Sequence, residues 1–284
     1  MHPFVALMRR YVVEYLLCQD PSICAQIMEP DYVLRMGGSE LGPRDEVYVP
    51  AVVRQLQQFP GLGMTVHEII VNGDRLAMRF SQHGASVRHD GRQASWGGIG
   101  LYRWNGERLT SNYAIEDYHS RRRQLAEGVA MPVEAPAVAP WDTVVEAPDP
   151  IAEATVRSWL LDPTRWGQLG GSGRSQLAGR SQPCDLVVDD GLRDGSIRLL
   201  EVEETVIDEL FSAGGRVAFH TTQTGRYIGG LDVPESCIGA TGTLYSVGVV
   251  HVDGSGQMTG RIIRERAGLQ RSLTPRASGP SGRD

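Results

Sequence analysis

The sequence predicts an α+β protein built twice over, each copy grouping its helices ahead of a meander of antiparallel strands. The first observation is a long-period repeat: TVHEIIVNGDRLAMRFSQHG, from Thr65 to Gly84, answers TVIDELFSAGGRVAFHTTQTG, from Thr205 to Gly225. Aligning Gly73-Asp74-Arg75 with Gly214-Gly215-Arg216 sets Glu68 opposite Glu209 and Ala77 opposite Ala218. The second is that both copies continue into another hairpin, turning at Asn105-Gly106 and at Asp253-Gly254. The third is the stretch between the copies, residues 126–150, with five prolines and neither helical nor alternating period. Together they divide the chain into a first domain over 1–125, a semi-rigid linker over 126–150, a second domain over 151–273 and a disordered tail over 274–284.

The elements follow in order. Phe4, Leu7, Met8, Tyr11, Val12, Tyr15 and Leu16 recur at helical spacing and predict an amphipathic first helix. A loop, EPDYVLRMGGSELGPRDEV, leads to a second helix at about Val47 to Phe59. Alternating apolar residues then predict four or so long strands joined by hairpins, the last ending at Asp117 before the helix SRRRQL. In the second copy the stretch from Cys184 to Glu201 is too short for the second helix, so that copy reads as degenerate. Setting Thr110 opposite Thr259 places Arg266 where Asp117 stands, an arginine that cannot act as a base.

Composition excludes much chemistry. All 28 basic residues are arginine, which removes Schiff-base, pyridoxal-phosphate and phosphate-loop lysines. A net charge of −6 argues against nucleic acid as a partner. Cys18, Cys24, Cys184 and Cys237 lack zinc-ligand spacing and read as free thiols of a reducing compartment. The N-terminal apolar run is broken by Arg9, Arg10 and Glu14, so neither a signal peptide nor a membrane span is expected, and the location expected is the cytoplasm. No glycine-rich nucleotide fingerprint and no GxSxG elbow is found, and His83, His89 and His119 have no metal-binding spacing. No cofactor and no metal are expected.

Phe59-Pro60, the Gly73-Asp74-Arg75 turn, Tyr102-Arg103 ahead of an Asn-Gly hairpin, and Asp117 ending the last strand together resemble the SnoaL-like polyketide cyclases. These belong to the nuclear transport factor 2-like superfamily, with ketosteroid isomerase and limonene epoxide hydrolase. The resemblance covers the first half well, and the second from about Thr205 to Leu273. It implies two cone-shaped domains, each a curved antiparallel sheet wrapped on helices. It also implies cofactor-independent acid/base cyclisation or isomerisation of a hydrophobic polyketide-type intermediate in bacterial secondary metabolism, such as antibiotic biosynthesis. Within it Asp117 maps to the acid/base, on a strand face shared with Ser111, Tyr113 and Ile115; aspartate there is equally a favoured helix cap. Glu68 and His83 are the assisting catalytic candidates, and Trp96, Tyr113 and His119 the candidate substrate contacts. The polyether-type epoxide cyclases of the superfamily pair a glutamate at the Glu68 position with a loop aspartate. That aspartate is missing near Met36 and Gly37, while Asp190 with Glu209 offers a shortened version in the second copy. Arg79 and Arg103 do not build the Asp-Arg-Asp triad of the limonene enzymes. Epoxide opening and a non-catalytic binding module are thus the alternatives. Because single-domain relatives pair sheet to sheet, the expected assembly is an intramolecular pseudo-dimer, as a monomer or a homodimer, with the linker across its outside.

Overall fold

The computed structural model describes residues 1–162, 170–171, 186–189 and 198–274. Helix α1 (Pro3–Arg10) opens with proline at its start and runs directly into a wider π-helical segment, Tyr11–Leu17. The short α2 (Cys24–Ile27) precedes β1 (Met28–Met36) and β2 (Ser39–Leu41), and α3 (Val49–Gln58) follows. Four long strands come next: β3 (Gly63–Asn72), β4 (Arg75–Ser86), β5 (Arg92–Trp104) and β6 (Leu109–Glu116). They form one six-stranded sheet in the order β2-β1-β6-β5-β4-β3, and α4 (Tyr118–Glu127) closes the domain. The segment read as a loop from the sequence is therefore largely sheet. β1 runs parallel to β6, and β2 folds back on β1 through Gly37-Gly38, whose positive φ values of 54° and 78° suit glycine.

The second domain begins with α5 (Pro150–Leu160), capped by the Asp149 carboxylate. After β7 (Gly170–Gly171) and β8 (Leu186–Asp189) come β9 (Leu200–Ala213), β10 (Arg216–Tyr227), β11 (Thr241–Val252), β12 (Met258–Arg264) and α6 (Arg266–Leu273). The sheet order is β7-β8-β12-β11-β10-β9, with β8 parallel to β12 as β1 is to β6. The Gly73 and Gly214 turns superpose in register, since Asn72 pairs with Arg75 and Ala213 with Arg216. The missing second helix, Asp190, Cys184 and most of the tail lie outside the described residues.

Alternation gives each sheet two apolar faces with different tasks. In the first domain Met64, Val71, Leu76, Met78, Phe80, Tyr102 and Ala114 face the helices and close the cone. The opposite face, with Ile70, Ala77, Ile99, Leu101 and Ile115, packs on Phe211, Ala213, Ala218, Val247, Val249 and Ile263 of the second sheet. The two sheets thus pair back to back within one chain. The contacts at their rim obey a pseudo-twofold: Arg75 donates to the carbonyl of Leu210 and Arg216 to that of Ile69. Likewise Arg103 reaches Glu209 at 2.7 Å, while His251 reaches Glu68 at 2.8 Å.

The proline-rich segment is tied along the seam between the sheets. Glu134 binds Arg79, Thr143 donates to the carbonyl of Ile69, Arg216 donates to Glu146, and Pro148 bridges to Gly214. Proline fixes the backbone, but these side chains and carbonyls fix its course. Among the described residues no helix is long and apolar enough to cross a membrane.

Candidate active site

Strand β6 sends alternate residues to opposite faces of the first sheet. Asn112, Ala114 and Glu116 face the cone, whereas Ser111, Tyr113, Ile115 and Asp117 face the second domain. The cone of the first domain holds a cavity of about 200 Å³, walled by Leu34, Met36, Val52, Leu56, Met64 and Phe80. Polar groups reach it from Tyr11, Tyr48, Gln55, Gln82, Tyr102, Asn112, Glu116 and Tyr118. A mostly apolar wall with a few convergent polar groups is the usual form of a small-molecule site. Its width depends on glycine: a Cβ at Gly98 would lie 2.3 Å from the Phe80 ring, and one at Gly100 2.7 Å from Tyr102.

Glu116 is buried, and its Oε2 accepts the indole N–H of Trp96 at 2.7 Å. Burial pushes its carboxyl above the ordinary range, while the Trp96 hydrogen bond, the Arg121 charge and the Tyr118 hydroxyl oppose that rise. Arg121 is held there by aromatic faces, 5.3 Å from the Phe59 centroid, 5.0 Å from Trp96 and 4.0 Å from Tyr118. Burial likewise drives the phenols of Tyr11, Tyr48 and Tyr102 well above their ordinary value, so they remain neutral O–H donors. Asn112 Oδ1 accepts from Tyr32 at 2.6 Å, which leaves its amide N–H₂ as a donor. Tyr118 donates to Gln55 at 3.4 Å, and Gln55 in turn to Gln82 at 3.2 Å. The assembled chemistry is one carboxyl poised for proton transfer, surrounded by neutral donors.

The residues singled out from the sequence do not gather at this cavity. Asp117 caps α4, accepting the Ser120 amide at 3.1 Å, and pairs with Arg266 of the second domain at 3.3 Å, both side chains 2% exposed. It is thus a cap and an interdomain ion pair on the side of the sheet away from the cone. Glu68 is bound to His251 across the seam, because a bulge between Val66 and Glu68 turns it outward. His83 lies on the same outer side, beside Ala130 and Met131. Tyr113 stacks on His220 of the second domain at 4.6 Å. His119 is half-buried near the domain junction, and burial followed by the Arg266 charge lowers its pKa. Trp96 alone of the six touches the site, as the donor to Glu116. Parity along β6 was the signal available: Asp117 with Ser120 three residues on is a capping pattern, which leaves the preceding residue to face inward.

The second domain keeps the framework, with a helix packed into its sheet. Val156, Trp159 and Leu160 of α5 fill its cone against Leu210, Phe219, Val250 and Ile262. The pairings Gly98 with Glu116 and Ser246 with Arg264 correct the alignment by one residue. Arg264 is the counterpart of Glu116, and Glu265 that of Asp117, each capping position preceding a helix.

A curved sheet wrapped on helices around a buried acid defines a cone-type, nuclear transport factor 2-like domain. Residues 6–125 match the SnoaL-like polyketide cyclase family, which is what this first domain is similar to. Among solved structures, similarity is found to a protein assigned to the SnoaL-like polyketide cyclases from Jannaschia sp. CCS1, at 15% identity, 45% of this chain, 92% of that one and a TM-score of 0.41. It is also found to TsrD from Streptomyces laurentii, at 22% identity, 44% of this chain, 97% of that one and a TM-score of 0.37. No curated protein matches the chain.

Proposed function

We infer that the first domain, residues 1–125, is a cofactor-independent cyclase or isomerase acting on a small hydrophobic polyketide-type molecule in bacterial secondary metabolism. The second domain, 151–273, acts as its scaffold, joined through the segment 126–150. The observation that carries this reading is Glu116: a buried carboxyl with a raised pKa, hydrogen-bonded to Trp96, at an apolar cavity. A carboxyl whose pKa is raised holds its proton more readily and can both take and return one. As carboxylate, Glu116 removes a proton from the acidic C–H between two carbonyls. The enolate oxygen accepts from the tyrosine hydroxyls or the Asn112 amide. The enolate carbon attacks a carbonyl carbon of the same molecule, closing the ring, and the new alkoxide recovers the proton from Glu116. Nothing is oxidised or reduced, and no lysine is required.

Asp117, Glu68 and His83 are not assigned steps, since each is turned from the cone and the first two are engaged with the second domain. The test is enolisation of a fused-ring β-diketone, followed as deuterium exchange at its acidic C–H. Glu116→Gln should slow the catalysed exchange by roughly 10² to 10⁴. An unchanged rate in a folded variant rejects the proposal.

A further inference from the structure

The back-to-back pairing creates two clefts related by the pseudo-twofold, one on either side of the seam, and they differ in content. In the first, His67 bonds the Ser81 hydroxyl at 2.9 Å, and Arg79 is clamped by both oxygens of Glu134 at 2.9 Å. The proline-rich segment thus supplies the carboxylate that this cleft binds. In the second, the positions of His67 and Arg79 are held by Asp208 and His220, as the shared turn register requires. No described residue of the linker lines it.

His220 Nδ1 lies 2.8 Å from Asp208 Oδ2, and Thr222 donates to the same oxygen at 2.8 Å. Burial raises the Asp208 carboxyl, but the hydrogen bonds from His220 and Thr222 outweigh it and leave the pKa lowered, so the group is ionised. The imidazole is clasped by Tyr113 of the first domain at 4.6 Å and faces Tyr245 at 6.2 Å. A carboxylate on Nδ1 fixes the tautomer in which Nε2 carries the lone pair. Among the described residues no protein group is hydrogen-bonded to Nε2. The ring lines a cavity of about 170 Å³ whose roof is the Gly37-Gly38 turn. A Cβ at Gly38 would meet the Tyr245 hydroxyl at 2.6 Å, so the close roof requires glycine.

We propose that this interdomain cleft is a second ligand site, taking a single-ring phenol or enol whose O–H donates to Nε2 of His220. The size fits one ring, since a cavity of about 150 Å³ holds benzene. The walls are aromatic, and the charges disfavour an anion: Asp208 and Glu40 oppose the single guanidinium of Arg35, itself bound to Glu40 at 2.9 Å. What remains unsatisfied is one acceptor, which calls for a neutral donor. The cone lies on the other face of the first sheet, and the two linings share Met36.

The probe is para-nitrophenol added to the full chain, with binding read from its absorption and from the nitrogen NMR of His220. Wild type should bind it with a shift of the Nε2 resonance. His220→Gln and Asp208→Asn should each weaken binding at least tenfold. Filling the cone by Ala114→Phe should leave binding intact, and para-nitroanisole, which lacks the O–H, should bind at least tenfold more weakly. An unmoved His220 resonance in wild type overturns the proposal whatever the variants do. So does equal binding of the anisole, or loss of binding in Ala114→Phe alone.

Discussion

Asp117→Asn separates a structural carboxylate from a catalytic one. Asparagine still caps α4, but the buried Arg266 cation loses an opposing charge, a change that typically costs about 3–5 kcal/mol. Chemical denaturation should show that loss, while exchange of the β-diketone per folded molecule stays near wild type. Glu116→Gln should do the reverse. Its raised pKa means the folded state prefers the protonated carboxyl, so wild type has its full stability below the unfolded value, about 4.3. That stability is lost as pH rises through the folded value. The glutamine variant should therefore gain in relative Tm as pH climbs from about 4 and then level off above the folded pKa. A Tm difference independent of pH would contradict the burial assigned to Glu116. The two residues are adjacent in sequence, and the last strand and its acidic end were readable from alternation alone. Which of the two faces the cone was not readable, because both sheet faces are apolar and the pattern does not say which one meets helices.

Among the elements, the hairpins at Gly73, Asn105, Gly214 and Asp253 are legible because their turns need residues that tolerate unusual backbone angles. Strand β1 is not, since Glu29, Pro30 and Asp31 give its first half the look of a polar loop, and its pairing with β6 is parallel and distant in sequence. The course of the linker is also illegible: proline content predicts stiffness, whereas the salt bridge of Glu134 with Arg79 sets its path. The cone depends on a smaller feature of β5. Gly98→Ala would press a methyl group into the Phe80 ring, at a cost of about 1–3 kcal/mol for overpacking. The displaced ring should narrow the cavity, so the variant should show both a lower Tm and weaker binding of the diketone. Unaltered binding would mean that Phe80 does not set the width.

For the whole molecule, the two sheets meet back to back within one chain. Ile70, Ile99, Leu101 and Ile115 are buried against the second sheet. Excised residues 1–127 should therefore self-associate through that face, which sedimentation would detect; a well-behaved monomer would contradict the pairing. The repeat and the pairing it implies were visible in the sequence, from Glu68 against Glu209 and Ala77 against Ala218. The proposed division of labour was harder to see, because it rests on Trp159 and Leu160 packing into the second sheet while Glu116 and its tyrosines line a cavity in the first cone. The proposed function accordingly puts the chemistry in the first cone and its support in the second. The most direct measurement is the rate of deuterium exchange into the β-diketone by the full chain carrying Glu116→Gln or Asp117→Asn. Loss in the first and retention in the second is the predicted result. Retention in the first with loss in the second would move the acid/base to the domain junction and contradict the account.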